Sequence, residues 1–168
     1  MRHLGLALLV LPLFATPVLA QDGPAVTPEE IGQIFCMSRL GDDEGLLQGL
    51  LSDELRSHIV YAEARDASYA AAHPDDKPPL GDGIPWASFP DFPGKCSLGS
   101  IAIDNGVARV VVTYDFADQP AAQFSDTLEL VQAPHPYNPD RTLWRLNDIR
   151  YTTSTTLREA LDSLFQGL

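Results

Sequence analysis

The chain has little with which to run metal or redox chemistry. It carries two cysteines, Cys36 and Cys96, with no Cys-x-x-Cys pair, and a lone pair of thiols is too few ligands for a structural zinc site. Beyond the amino-terminal segment only His58, His73 and His135 are available as imidazoles, none at a recognisable spacing from a second ligand or base. Basic side chains are scarce: 11 Lys and Arg stand against 23 Asp and Glu, a formal charge of −12. A field of that sign disfavours nucleic acid and anionic lipid; it would attract cationic partners or divalent cations, or serve solubility alone. The acidic residues are spread along the chain and form no long block. The run "GDDE", with Asp42 to Glu44, lacks the alternating oxygen ligands and central glycine of an EF-hand loop, so helix capping explains it better than calcium. No internal repeat is apparent, and no cofactor or metal is expected.

Long apolar runs are also missing, with one exception at the start. "MRHLGLALLVLPLFATPVLAQD" has a short basic opening, an apolar run from Leu4 to Leu19 and small residues toward Ala20. That is the layout of a cleavable secretory signal over residues 1–20; the alternative is an uncleaved membrane anchor, for which the run is shorter than the roughly 20 residues a spanning helix needs. Cleavage after Ala20 would leave 148 residues, 168 less 20, with 10 basic side chains once Arg2 is gone. Such a length suits one domain over residues 21–168 with a core of its own. The expectation is therefore a periplasmic or secreted protein with no stable membrane insertion after cleavage, and in that setting an even pair of cysteines forms a disulfide. A Cys36–Cys96 bridge would add about 4 kcal/mol in the chain-entropy account.

Local signals divide the rest. "TPEEIGQIFCMSRL" begins with Thr27 as helix cap, Pro28 at the first helical position and Glu30 completing a capping box. Ile31, Ile34 and Phe35, joined by Met37 and Leu40, supply an apolar face that places Cys36 beside the core. A break at Gly41 precedes a short second helix, and "SDELRSHIVYAEARDASYAAAHP" predicts a long third one capped by Ser52 and ended before Pro74. Asp75 to Cys96, "DDKPPLGDGIPWASFPDFPGKC", has too much proline and glycine to continue a helix or a central strand. After it the period changes to two: "SLGSIAI" and "VARVVVTYDF" flank Asn105-Gly106, a hairpin turn signal. "FSDTLELVQ" and "LWRLNDIRYT" make two further strands around the proline-interrupted "APHPYNPDRT", and "TTLREALDSLF" a terminal helix with Thr156 and Glu159 as a second capping box. The fold class expected is α+β, with amino-terminal helices packed on a curved, cone-like antiparallel sheet of at least four strands and a short carboxy-terminal helix.

That order of elements, with "SDTLELV" and "LWRLNDIRY", resembles the nuclear-transport-factor-2-like, or cystatin-like, superfamily, and within it a group of exported bacterial proteins of uncharacterised activity. Trp144, Arg145, Asp148 and Ile149 carry the match on the last strand; "PPLGDGIPW" and the two cysteine positions are similar as well. The resemblance implies a fold and export. Other members of the superfamily are isomerases and dehydratases, but their motifs find no counterpart here, and fold alone does not establish chemistry.

Several residues are candidates for a site. Strand alternation puts Trp144, Leu146, Asp148 and Arg150 on one face and Ile149 and Tyr151 on the other. Asp148 with Asp126, or Asp148 with Tyr151, could transfer protons if burial raised a carboxyl pKa; the structural alternative pairs Asp148 with Arg109 or Arg150. In the proline-rich stretch Ile84, Trp86, Phe89 and Phe92 are too apolar for a solvated linker, so a packed lid is expected, and as a binding loop it would offer Asp82 as polar handle and Trp86 as aromatic anchor. The first functional expectation is an exported non-catalytic module that binds another periplasmic protein or the cell-wall environment through the lid and the adjacent sheet face, an immunity-type protein masking a cationic toxin being one form. The alternatives are a small-molecule carrier or sensor with a cone lined by Trp144, Tyr114 and Tyr151, and, third, a carboxylate-dependent isomerase or hydrolase.

Overall fold

A computed structural model describes residues 26–167, so the expected signal segment lies outside the described residues. Helix α1 runs Pro28–Gly41, α2 Gly45–Gln48, α3 Asp53–Ala72 and α4 Leu157–Ser163, and four strands, β1 Lys95–Asp104, β2 Val107–Asp115, β3 Phe124–His135 and β4 Asn138–Arg150, stand between α3 and α4. The strands form one antiparallel sheet in the order β1-β2-β3-β4. The α+β class is therefore observed.

Both capping boxes form: the side chains of Thr27 and Thr156 accept from the backbone of Glu30 and Glu159, whose carboxylates reach back to the cap N–H groups. Asp42 ends α1 in the left-handed region, and the Asp43 carboxylate accepts from the Gly45 N–H at 3.0 Å. Within the acidic cluster the Asp42 backbone caps α1 and the Asp43 side chain holds the turn into α2, while Glu44, at the N-cap of α2, makes no side-chain cap bond. Asn105 and Gly106, at φ 49° and 78°, close the β1–β2 hairpin with the two positive angles such a turn requires.

Helix α1 lies over β1 and β2, and α3 and α4 lie beside β4. Gly32 sets how closely α1 can approach, because a Cβ there would stand 2.9 Å from Leu98 and 3.0 Å from Val110. The sheet face beneath contributes Ala108, Val110 and Val112 from β2, Leu128 and Leu130 from β3, and Leu146 and Ile149 from β4, all without exposed surface. Ile31 and Phe35, Leu47, Leu55 and Ile59, and Leu157 and Leu161 close the core from the helices. Met37 and Leu40, assigned to the core face of α1 by periodicity, are instead half exposed at 54 % and 48 %.

Two differences from the sequence expectation concern strands. Prolines 134, 136 and 139 do not interrupt the last hairpin: β3 and β4 run almost to the turn at residues 136–137. The register explains this, since β2 pairs with β3 only as far as Val131, and beyond it β3 has a partner on one side only, where a missing N–H is tolerated. In β4 a bulge falls at Asn147, between the pairs Leu130↔Leu146 and Glu129↔Asp148. Strict alternation fails there, so that Leu146 and Ile149 both join the core while Asp148 stands opposite Glu129. At the bulge the free edge of β4 is covered by the α2–α3 link: Leu146 accepts from Ser52 N–H and donates to Leu50 C=O, both at 2.8 Å.

Candidate functional site

The proline-rich segment between α3 and β1 is a packed lid. It is tied to α3 by the Leu80 N–H, which donates to Asp66 at 2.7 Å, and Gly83 turns it with a φ of 85°, where a side chain would be strained. Its end is pinned by the disulfide Cys36–Cys96, with a Cα–Cα distance of 5.3 Å. That bridge joins the middle of α1 to the start of β1, directly opposite Tyr114 on β2.

The lid's middle is held by a buried carboxylate. Asp126, 1 % exposed, points from β3 into the space beneath the loop and accepts the Ser88 N–H at 2.9 Å, the Ser88 hydroxyl, and the Thr152 N–H at 3.1 Å. Thr152 also donates to the Ser88 hydroxyl oxygen at 2.9 Å, and the Tyr151 hydroxyl donates to the Pro85 carbonyl. Burial pushes the Asp126 carboxyl above its ordinary pKa, against the opposing pull of the Ser88 and Thr152 hydrogen bonds. The Tyr114 and Tyr151 hydroxyls are pushed up as well, first by burial and then by the Asp126 charge.

Asp148 belongs to a different cluster. Its carboxylate accepts from the Arg158 Nε at 2.9 Å, the Arg158 N–H at 3.2 Å and the Ile149 N–H at 2.9 Å. Burial works against the Arg158 charge, but Asp148, with Glu54 beyond it, outweighs that and raises the pKa. The expected partners Arg109 and Arg150 both go to Glu129 instead, at 3.9 and 3.0 Å. The bulge accounts for the correction, because it detaches Asp148 from the alternation on which the pairing was built. No hydrogen bond joins Asp126 to Asp148, and each carboxylate is committed to its own donors.

Burial also reassigns the lid's aromatics. Trp86, expected as an accessible anchor, is 1 % exposed and part of the core. Asp82 is exposed and ion-paired with Lys77. What reaches solvent is Phe89 at 48 % and Phe92 at 53 %. Phe89 packs edge-on against Phe124 at 4.9 Å between centroids, and Phe124 lies 4.7 Å from Tyr114 and 5.9 Å from Phe116, so an aromatic stack leads from the surface to the core. On one side of Phe89 and Phe92 is an open cleft of about 620 Å³ walled by Phe116 and Phe124, with Asp91 and Asp118 on it. On the other is a cleft of about 500 Å³ that includes Arg39, Trp86, Asp42, Glu44 and Asp82. Tyr114 and Tyr151 are core residues that fill space within the domain, and Trp144 packs partly buried against the core.

Three residues here went unnoticed in the sequence. Ser88 and Arg158 carry no local signal, since their carboxylate partners lie 38 and 10 positions away. Arg39 does carry one: it follows Phe35 by four and Cys36 by three, and so shares their buried helix face. No protein-family model matches the chain, and searches of curated proteins and of solved structures find no match.

Proposed function

We propose that the protein is an exported, non-catalytic binding module with a nuclear-transport-factor-2-like fold, which engages a protein partner through the far half of its lid. The observation that carries this reading is the placement of Phe89 and Phe92, two large exposed aromatic side chains at the boundary of two clefts, on a loop fixed by a disulfide and by Asp126. A stiff loop loses little entropy on binding, so its apolar surface is available to a partner at low cost. Asp91 and Asp118 beside four phenylalanines suit a partner that presents a lysine or arginine among apolar side chains, because a cation gains from both the ring faces and the carboxylates. The chain's charge of −12 would steer such a basic partner, including a cationic toxin. The disulfide accords with an oxidising, periplasmic or extracellular location. The commitment of Asp126 and Asp148 to internal donors favours binding over proton transfer.

The reading is tested by placing a photo-crosslinking benzoylphenylalanine at position 89 or 92, and at the exposed Tyr137 as control, and irradiating cells that export the protein. A discrete adduct from both lid positions and none from position 137 is expected. Equal adducts from all three, or none from the lid, would remove the lid as the contact.

A further inference from the structure

Arg39 is the only cation among the buried described side chains. It sits on the last turn of α1, 6 % exposed, and among the described residues its Nε has no acceptor. The contact its guanidinium does make is with the Phe92 ring, 5.3 Å from the ring centre. That Nε is shut off from water with no hydrogen-bond acceptor, which is unfavourable for a donor of a charged group. On a helix face otherwise occupied by Ile31 and Phe35, a leucine or methionine would serve packing better. The last turn of α1 and the Phe92 ring both favour a cation here, but they leave its Nε without an acceptor.

Its surroundings indicate what that is. Arg39 lines the cleft of about 500 Å³, and the wall of the same cleft contains Trp86, whose buried indole N–H also lacks an acceptor among the described residues. The Tyr114 hydroxyl, close enough for the Arg39 charge to act on its pKa, and the Ser38 hydroxyl next to Arg39 in the chain are buried and unpartnered too. Arg39 and Trp86 can only donate, so the group that satisfies them must be rich in acceptors. Phe89 and Phe92 give the cleft an apolar side, while Asp42, Glu44 and Asp82 bring carboxylates to it. Those carboxylates repel a phosphate dianion and instead complement an ammonium group.

We infer that this cleft binds a free α-amino acid with an apolar side chain, its carboxylate on the Arg39 guanidinium beside Trp86, its ammonium toward Asp42 and Glu44, and its side chain against Phe89 and Phe92. A cleft of this size is in the range that encloses such a ligand. The inference does not depend on the protein partner proposed above, although the two phenylalanines border both clefts.

The test is a titration of the mature, oxidised protein with each of the twenty amino acids, and separately with phenylacetate, phenethylamine and inorganic phosphate, followed by nuclear magnetic resonance. The indole N–H signals of Trp86 and Trp144 serve as probe and internal control. The expected result is saturable movement of the Trp86 indole and Arg39 Nε–H signals with one or more apolar amino acids, Trp144 holding still, and binding at least about tenfold weaker for phenylacetate, phenethylamine and phosphate. Arg39→Met should weaken that binding about thirtyfold or more while the variant melts at or above the wild-type temperature, since an unpaired buried charge has been removed. Arg39→Lys should fold and also bind more weakly, because the forked donor is lost. The proposal is overturned if no amino acid moves the Trp86 signal, if phosphate or phenylacetate binds as tightly, or if Arg39→Met melts well below wild type, which would make Arg39 a packing residue. A failed titration alongside lid crosslinks at position 89 would leave the partner reading standing and remove only this one.

Discussion

Within the lid, residues 84–88 and 89–94 have similar compositions and opposite circumstances. In the first segment Trp86 and Ala87 are buried, the Pro85 carbonyl accepts from Tyr151, and Ser88 is held by Asp126 through both its N–H and its hydroxyl. In the second, Phe89 and Phe92 keep about half their surface in solvent between two clefts, although the disulfide at Cys96 fixes the end of the loop. Hydrophobicity does not separate the two, since both contain proline and large aromatic residues. The separation comes from where a buried carboxylate on β3 can reach. The first segment is core delivered by a loop, and the second, apart from the buried Pro93, is surface held by that core.

Breaking the lid's attachments should cost stability most where the covalent link is lost and least where a single hydrogen bond is. Replacing Cys36 and Cys96 together by serine should have the largest effect, a loss of about 2–5 kcal/mol in urea unfolding. Asp126→Ala comes next at about 2–3 kcal/mol, because it leaves the Ser88 and Thr152 N–H groups without their acceptor. The same residue gives a pH signature. Its carboxyl pKa is raised in the folded state above 3.8, so its stabilising contribution is complete below the unfolded value and is lost as pH rises through the folded value. Wild type minus Asp126→Asn, measured as unfolding free energy from pH 3 upward, should therefore decrease with pH; an increase would mean that the hydrogen bonds outweigh burial.

Tyr151→Phe removes one bond to the Pro85 carbonyl and should cost about 1 kcal/mol by the same measurement. Phe92→Ala should change stability by no more than about 0.5 kcal/mol, yet abolish the crosslink from position 89. A large stability loss for Phe92→Ala would erase the distinction between the two segments.

Much of the fold can be read in the amino acids because its signals are local. The Thr27 and Thr156 boxes, the Asn105-Gly106 turn and the stop before Pro74 each depend on neighbours within a few positions. The site is less legible for the converse reason. That Trp86 turns inward and Phe89 outward depends on Asp126, 38 positions from Ser88, and the partner of Asp148 depends on a one-residue bulge at Asn147 that no alternating pattern reveals. Arg39 was legible in principle, as a charge on the face of Phe35 and Cys36, but only knowledge of its surroundings makes it more than a helix-ending arginine.

Amide hydrogen exchange on the oxidised wild-type protein tests the division of the lid most directly. The account predicts that the Trp86 and Ser88 amides exchange about as slowly as those of the central strands, by near-global opening, and that the Asp91 and Phe92 amides, which face water with no hydrogen bond among the described residues, exchange many-fold faster. One common rate for all four amides, whether slow or fast, would contradict it.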